Sequence, residues 1–245
     1  MKRIAYLLLI ILLSSTMILA QELQTDKFDT NKGELAINFV NHGSLFFEFD
    51  GKVIHIDPVT RMGNYEEYPK ADLILITHQH GDHLDLNAIH LLKKESTKII
   101  FTKKCQEMSE DLSEVIVMNN GDILNINQLE IEAIPAYNIK HKRENGNPFH
   151  PQGEGNGYVI NFANKKVLVA GDTENIPEIK ALENIDIAFL PMNLPYTMTP
   201  EMVAEAAKAF KPKVLYPYHY GETDTSKLKE LLKDEKEIEV RIKKM

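Results

Sequence analysis

Short apolar runs punctuate the chain from residue 35 onward, separated by turn residues or by stretches of helical spacing. Twelve of them read as strands: "LAINFV", "SLFFEF", "KVIHI", "DLILIT", "KIIFT", "EVIVM", "LEIEAI", "GYVINF", "KVLVAG", "DIAFLP", "KVLYPY" and "EIEVRI". Most are rich in Val, Ile and Phe, which suit a pleated and largely buried surface. Helical patterns fall after the histidine-rich segment near residue 80 and again close to the end. In "TPEMVAEAAKAFKP", Thr199 is placed to cap and Pro200 suits the first helical position. Met202, Val203, Ala206, Ala207 and Phe210 then form one apolar stripe, so this helix covers a sheet. Strand pairs come first and strand-then-helix units recur in both halves. That order predicts an α/β fold with two packed sheets and helices outside, an αββα sandwich. Residues 34–245 are expected to form one domain after a polar, unstructured lead-in over 21–33.

The first twenty residues, "MKRIAYLLLIILLSSTMILA", have a charged start, an apolar run and Ala20 before polar sequence. This is the layout of a secretory signal peptide cleaved after Ala20, which predicts a periplasmic or secreted protein. Ile18 stands three before the cut where a small residue is usual, leaving an uncleaved anchor as the alternative. The apolar run is shorter than the roughly 20 residues a spanning helix needs, which favours cleavage and no stable membrane insertion. Cys105 is the only cysteine, so no intramolecular disulfide can form and the core must stabilise itself. The formal net charge is −8, and loss of Lys2 and Arg3 with the leader makes it −10. A chain this acidic is not expected to bind nucleic acid, which selects basic patches.

One stretch concentrates ligand chemistry. "ILITHQHGDHLDL" places His78, His80, Asp82 and His83 in six positions directly after an apolar strand. Alternate side chains of an extended segment point the same way, so His78, His80 and Asp82 converge where the strand ends, and His83 joins from the turn. Imidazoles and a carboxylate at this density suit zinc or a similar divalent metal.

The pattern Thr77-His78-Gln79-His80-Gly81-Asp82-His83 resembles the metallo-β-lactamase fold superfamily. More narrowly, the chain is similar to the branch containing the L-ascorbate-6-phosphate lactonase and N-acylphosphatidylethanolamine phospholipase D families. Further segments in the same order carry the likeness: "NHGSLFFEFDGKVIHIDP", "GYVINFANKKVLVAGDTE" and "DIAFLPMNLPYTMTPEMVAEAAKAFKPKVLYPYHYG". The resemblance implies that His78 and His80 hold one metal while Asp82 and His83 hold the other. It implies that Asp172 in "AGDT" bridges both metals and that His219 in "PYHYG" completes the second site. It makes Asp57 in "IHIDP" a carboxylate that orients a ligand histidine.

The sequence departs from that branch at one ligand. Asn138 in "IPAYN" stands where the third histidine of the first site is expected, and asparagine is a poor zinc ligand. His150 is preferred as its replacement because Pro148 and Pro151 restrict its surroundings. His141, or a three-ligand site completed by water, are the alternatives. His42 in "NHGS" is expected near the site, in a supporting, substrate or structural role, and Tyr196 in "LPYTM" either meets substrate or packs. His55, His90 and Cys105 read as packing or surface residues. "GEGNG", Gly153 to Gly157, precedes a strand and reads as a flexible turn rather than a phosphate loop.

Two divalent metals joined by a carboxylate share a water and lower its pKa toward roughly 7, supplying a hydroxide nucleophile without a separate base. The resemblance therefore implies a binuclear zinc hydrolase, with Mn2+ or Fe2+ as alternative metals. The expected substrate is a small molecule carrying a lactone or phosphodiester. Alternatives are a β-lactam or other amide or thioester, and a non-catalytic metal-binding protein of the same fold. No G-x-S-x-G elbow and no cysteine–histidine pair points to a side-chain nucleophile.

Overall fold

The computed structural model describes residues 23–109, 112 and 115–245. The expected signal peptide lies outside the described residues. Two seven-stranded sheets account for the strands. The first runs in chain order: β1 (Gln24–Thr30), β2 (Gly33–Asn41), β3 (Ser44–Phe49), β4 (Lys52–Ile56), β5 (Leu73–Leu75), β6 (Lys98–Phe101) and β7 (Val115–Val117). The second also follows the chain, with β8 (Ile123–Ile126), β9 (Leu129–Ala136), β10 (Gly155–Phe162), β11 (Lys165–Val169), β12 (Ile187–Pro191), β13 (Val214–Tyr218) and β14 (Glu239–Val240). In each sheet the first four strands pair antiparallel and the last four parallel.

Alternation within the strands separates the layers. Along β12, Ile187 and Phe189 enter the core between the sheets, while Ala188 and Leu190 face the helices. The inter-sheet core is aromatic, with Phe47 5.0 Å from Phe162 and Phe39 5.1 Å from Tyr216 between ring centroids. Outside the second sheet lie α3 (Pro177–Lys180), α4 (Pro200–Phe210) and α5 (Ser226–Leu231). Outside the first lie α1 (Leu86–Leu92) and α2 (Lys103–Glu107), packed on Ile74, Ile76, Ile99 and Phe101. The architecture is thus the αββα sandwich expected. Thr199 caps α4 by accepting from Met202 N at 3.2 Å, and Pro200 begins it.

Two expectations are corrected. Residues 24–30, read as part of an unstructured lead-in, form β1 on the edge of the first sheet. Its inner face is mixed: Phe28 packs on the core, while Asp26 meets Tyr216, Arg241 and Lys243 at 2.5, 3.1 and 2.5 Å. Those partners lie some 190 residues or more along the chain, and they satisfy a strand whose composition looks like coil. The second correction concerns "GEGNG". Gly153 and Glu154 lie in a turn as expected, but Gly155 and Gly157 belong to β10, and a Cβ at Gly157 would lie 2.7 Å from Ala170 O. Glycine there allows close backbone packing.

Phe47 is fully buried at the centre of the inter-sheet aromatics. Phe47→Ala is expected to lower the free energy of unfolding by about 3–5 kcal/mol in a denaturant titration, the cost of a large core cavity.

Candidate metal centre

The parallel strands of each sheet end on one edge, and the functional side chains leave from those ends. Asp57 follows β4 and Asp172 follows β11 through Gly171, while His219 follows β13. Asp57, His219 and His42 adopt positive φ of 43°, 48° and 55°, and Gly171 has φ 65°. Such left-handed turns cost L-residues roughly 1–2 kcal/mol each, so packing and hydrogen bonds must hold these three in place. His42 and Gly43 form the tight turn between β2 and β3, and a Cβ at Gly43 would come 2.9 Å from His83 Cε1.

The loop after β5 carries the histidine box, and Asp57 anchors it. Asp57 Oδ1 accepts from Thr77 N at 2.7 Å, and its Oδ2 takes the Thr77 hydroxyl at 2.7 Å and His83 Nδ1 at 2.7 Å. The Thr77 hydroxyl also lies 3.0 Å from His78 Nδ1. With its proton given to Asp57, that hydroxyl accepts from His78, leaving the His78 Nε2 lone pair toward the site. The second sheet grips the same loop: Asn156 N donates to Thr77 O at 2.9 Å, and Tyr158 Oη to Ile76 O at 2.8 Å.

Three groups of side chains in this cluster have the spacing to hold a metal ion: His78, His80 and His150; His42, Asp82 and His219; and His78, His83 and Asp172. His78 Nε2 and His80 Nδ1 are 3.1 Å apart. Asp172 joins the groups. Its Oδ2 lies 3.3 Å from His150 Nε2, 3.5 Å from His219 Nε2 and 3.9 Å from His78 Nε2, and its Oδ1 lies 3.4 Å from His83 Nε2. Asp82 Oδ2 is 3.3 Å from His42 Nε2 and 3.5 Å from His219 Nε2. The His42 and His219 rings lie with centroids 3.7 Å apart, tilted by 37°.

The donor set fits a divalent cation. His83 Nε2, Asp172 Oδ1 and both ring nitrogens of His219 are buried without a hydrogen-bond partner, an arrangement costly in itself and natural for atoms aimed at a metal. Among the described residues, the ion-pair partners of Asp57, Asp82 and Asp172 are all histidines, so no lysine or arginine neutralises them. Burial lowers the His78 imidazole well below its ordinary pKa, and burial likewise lowers His80 and His42. These rings are therefore neutral lone-pair donors at pH 7. Burial alone would raise the Asp172 carboxyl, but the facing His219 and His83 rings overcome it and hold Asp172 well below the carboxylate range. Asp82 is lowered too: burial opposes ionisation, but the facing His219 and His42 imidazoles outweigh it. Burial also works against charge on His83, yet Asp172 and Asp57 carry its pKa up to about 9. The site thus attracts positive charge. A small cavity beside it, bounded by His78, Gln79, His150, Pro151, Glu154, Gly155 and Asp172, has room for about one water molecule.

Of the residues singled out from sequence, His42, His78, His80, Asp82, His83, His150, Asp172 and His219 come together, with Asp57 directly behind His83. His141 lies outside the three groups, its Nδ1 2.7 Å from Glu174 Oε1. His55 stacks on Phe46 and its Nε2 lies 3.0 Å from Pro69 O, whereas His90 is exposed on α1. Cys105 is buried. Tyr196 is exposed at the rim and meets Phe149 edge-on at 5.1 Å. Sequence reasoning missed Thr77 and Glu174. Glu174 is fully buried, and its oxygens accept from the backbone N–H groups of Ile139, Lys140 and His141 at 2.7, 2.6 and 2.7 Å. Its place two residues after Asp172 was the available signal.

A metal-binding edge on an αββα sandwich defines the class as a metallohydrolase-type scaffold, and similarity to known proteins agrees. Residues 36–219 match the family described as Beta-lactamase superfamily domain. The UPF0173 metal-dependent hydrolase of Nanoarchaeum equitans (strain Kin4-M) is 32% identical over 191 residues, covering 76% of this chain and 84% of its own length. A solved structure from Parabacteroides distasonis ATCC 8503, described as a metal-dependent hydrolase, is 48% identical with TM-score 0.85, covering 91% of this chain and 99% of that one. Igni18, a metallo hydrolase from Ignicoccus hospitalis KIN4/I, shares the fold at 24% identity and TM-score 0.70, covering 86% of this chain and 95% of that one. The chain belongs to the metallo-β-lactamase superfamily of metal-dependent hydrolases.

The Glu174 clamp yields a prediction. Glu174→Ala removes the shared acceptor of three backbone donors in a partly exposed loop and is expected to cost about 1–3 kcal/mol of stability. Hydrogen exchange at the amides of Ile139, Lys140 and His141 should accelerate selectively.

Proposed function

We propose that the protein is a binuclear zinc-dependent hydrolase acting on a small-molecule lactone or phosphodiester. The single observation that supports it best is the position of Asp172, whose Oδ2 lies within 4 Å of His78, His150 and His219 while its Oδ1 faces His83. His78, His80, His150 and Asp172 would hold one ion, and Asp82, His83, His219 and Asp172 the other, with His42 next to the second. When bound, the metals supply Lewis acidity, acidifying water and polarising a carbonyl or phosphoryl oxygen.

The chain's own residues supply orientation. Asp57 holds His83 by Nδ1 and so presents Nε2 to the site, and Thr77 does the same for His78. Asp82, with about 30% of its side chain exposed, is the most accessible of the three carboxylates and the best placed to meet water or a proton on a leaving group. His42, beside Asp82 and also partly exposed, is the nearest imidazole for proton exchange with solvent. Phe149 and Tyr196, in edge contact beside His150 and Asn138, would offer an aromatic surface to the rest of a substrate. Export through the N-terminal leader would place the reaction outside the cytoplasm.

Hydrolysis of a panel of lactones, phosphodiesters and β-lactams by the zinc-loaded protein tests the proposal. Lactone or phosphodiester turnover is expected, and Asp172→Ala should reduce kcat on the order of 100-fold or more, since even an outer partner of a ligand can cause that loss. Full activity of Asp172→Ala on a confirmed substrate would refute the bridging role, and turnover confined to β-lactams would refute the substrate class.

A further inference from the structure

Asn138 stands where the sequence resemblance calls for a ligand histidine, and its buried amide faces a defined way. Its Nδ2 donates to Tyr196 O at 2.9 Å and to Glu174 Oε1 at 3.3 Å. A carbonyl and a carboxylate only accept, so the amide nitrogen must face them and Oδ1 must face the opposite side. There Oδ1 accepts twice from His150, from its backbone N at 2.7 Å and its ring Nδ1 at 2.8 Å. Asn138 N in turn donates to His150 O at 2.9 Å. Since Oδ1 has no proton to give, His150 Nδ1 carries the hydrogen and Nε2 keeps its lone pair. That lone pair belongs to the atom 3.3 Å from Asp172 Oδ2, grouped with His78 and His80.

We propose that Asn138 is a positioning residue, fixing the tautomer and direction of His150 so that a histidine twelve residues further on replaces the one absent at 138. The proposal rests on the binuclear reading above. Glu174 completes the arrangement from behind: it accepts from the Asn138 amide and pins the next three backbone N–H groups, which keeps the loop from drifting. Asparagine suits the place because one amide offers an acceptor to the imidazole and donors to the oxygens behind it. Aspartate does not, despite its equal size. Its second oxygen would face Tyr196 O and Glu174 with no proton to share.

The test measures the affinity of each metal in the full protein by competition with a chromophoric chelator, with the visible spectrum of the cobalt form as a second readout. The variants are Asn138→Ala, Asn138→Asp, His150→Ala and the Asn138→Ala/His150→Ala pair, each checked for folding by a thermal melt. His150→Ala, Asn138→Ala and Asn138→Asp should each weaken one metal by at least about 10-fold, in the range typical for loss of an outer partner, and change the cobalt spectrum. The other metal should stay within about twofold, the error expected for independent sites, and the double variant should be no weaker than His150→Ala alone. Unchanged affinities in Asn138→Ala, equal weakening of both metals, or a full extra loss in the double variant would overturn the proposal. If His150→Ala itself spares both metals, the ligand assignment fails, and the positioning role falls with it. Nitrogen NMR of the wild-type zinc form decides the matter should the Asn138 variants not fold: Nδ1-protonated His150 is expected, and the opposite tautomer would refute it.

Discussion

His83 is held between two buried carboxylates, Asp57 at 2.7 Å on Nδ1 and Asp172 at 3.4 Å on Nε2. Asp57 comes from the first sheet and Asp172 from the second, so this imidazole joins the two halves of the sandwich at its functional edge. Burying two carboxylates is costly unless each has partners. Here Asp57 has Thr77 and His83, whereas Asp172 faces imidazole nitrogens and keeps an oxygen without a hydrogen bond. The imbalance of negative charge at Asp172 gives the site its attraction for cations, and it is the constraint around which the loops are arranged.

The sandwich exists to hold those strand ends in register. Aromatic packing between the sheets fixes their separation, and hydrogen bonds from β10 to the loop after β5 then tie the histidine box to the opposite sheet. Rigid strands and short turns suit a site whose geometry matters at the level of a fraction of an ångström. The left-handed residues His42, Asp57 and His219 lie at such turns, where surrounding contacts must offset local strain. The loops bearing Phe149 and Tyr196, by contrast, leave these two aromatic rings half-exposed and exposed.

Much of this was legible in the sequence because periodicity and ligand chemistry are local signals. The apolar strand runs, the α4 stripe and the "HQHGDH" box each announce themselves within a dozen residues. β1 escaped because it is a polar, half-exposed edge strand whose Asp26 finds its partners at the other end of the chain, and β8 because it is an edge strand of only four residues. Glycines 155 and 157 were misread for a related reason: only the tertiary neighbour, Ala170 O, reveals why a side chain is excluded. At the site, the preference for His150 over His141 could be reasoned from flanking prolines. The Asn138 and Glu174 hydrogen bonds that distinguish the two histidines could not, since they join residues twelve and more than thirty positions apart.

Elemental analysis of the purified protein, prepared without chelator and supplied with zinc, tests the central claim most directly. A ratio close to two zinc ions per chain is predicted, because both oxygens of Asp172 face histidine donors. A ratio that stays near one at saturating zinc would contradict the binuclear account and leave Asp172 as the ligand of a single ion.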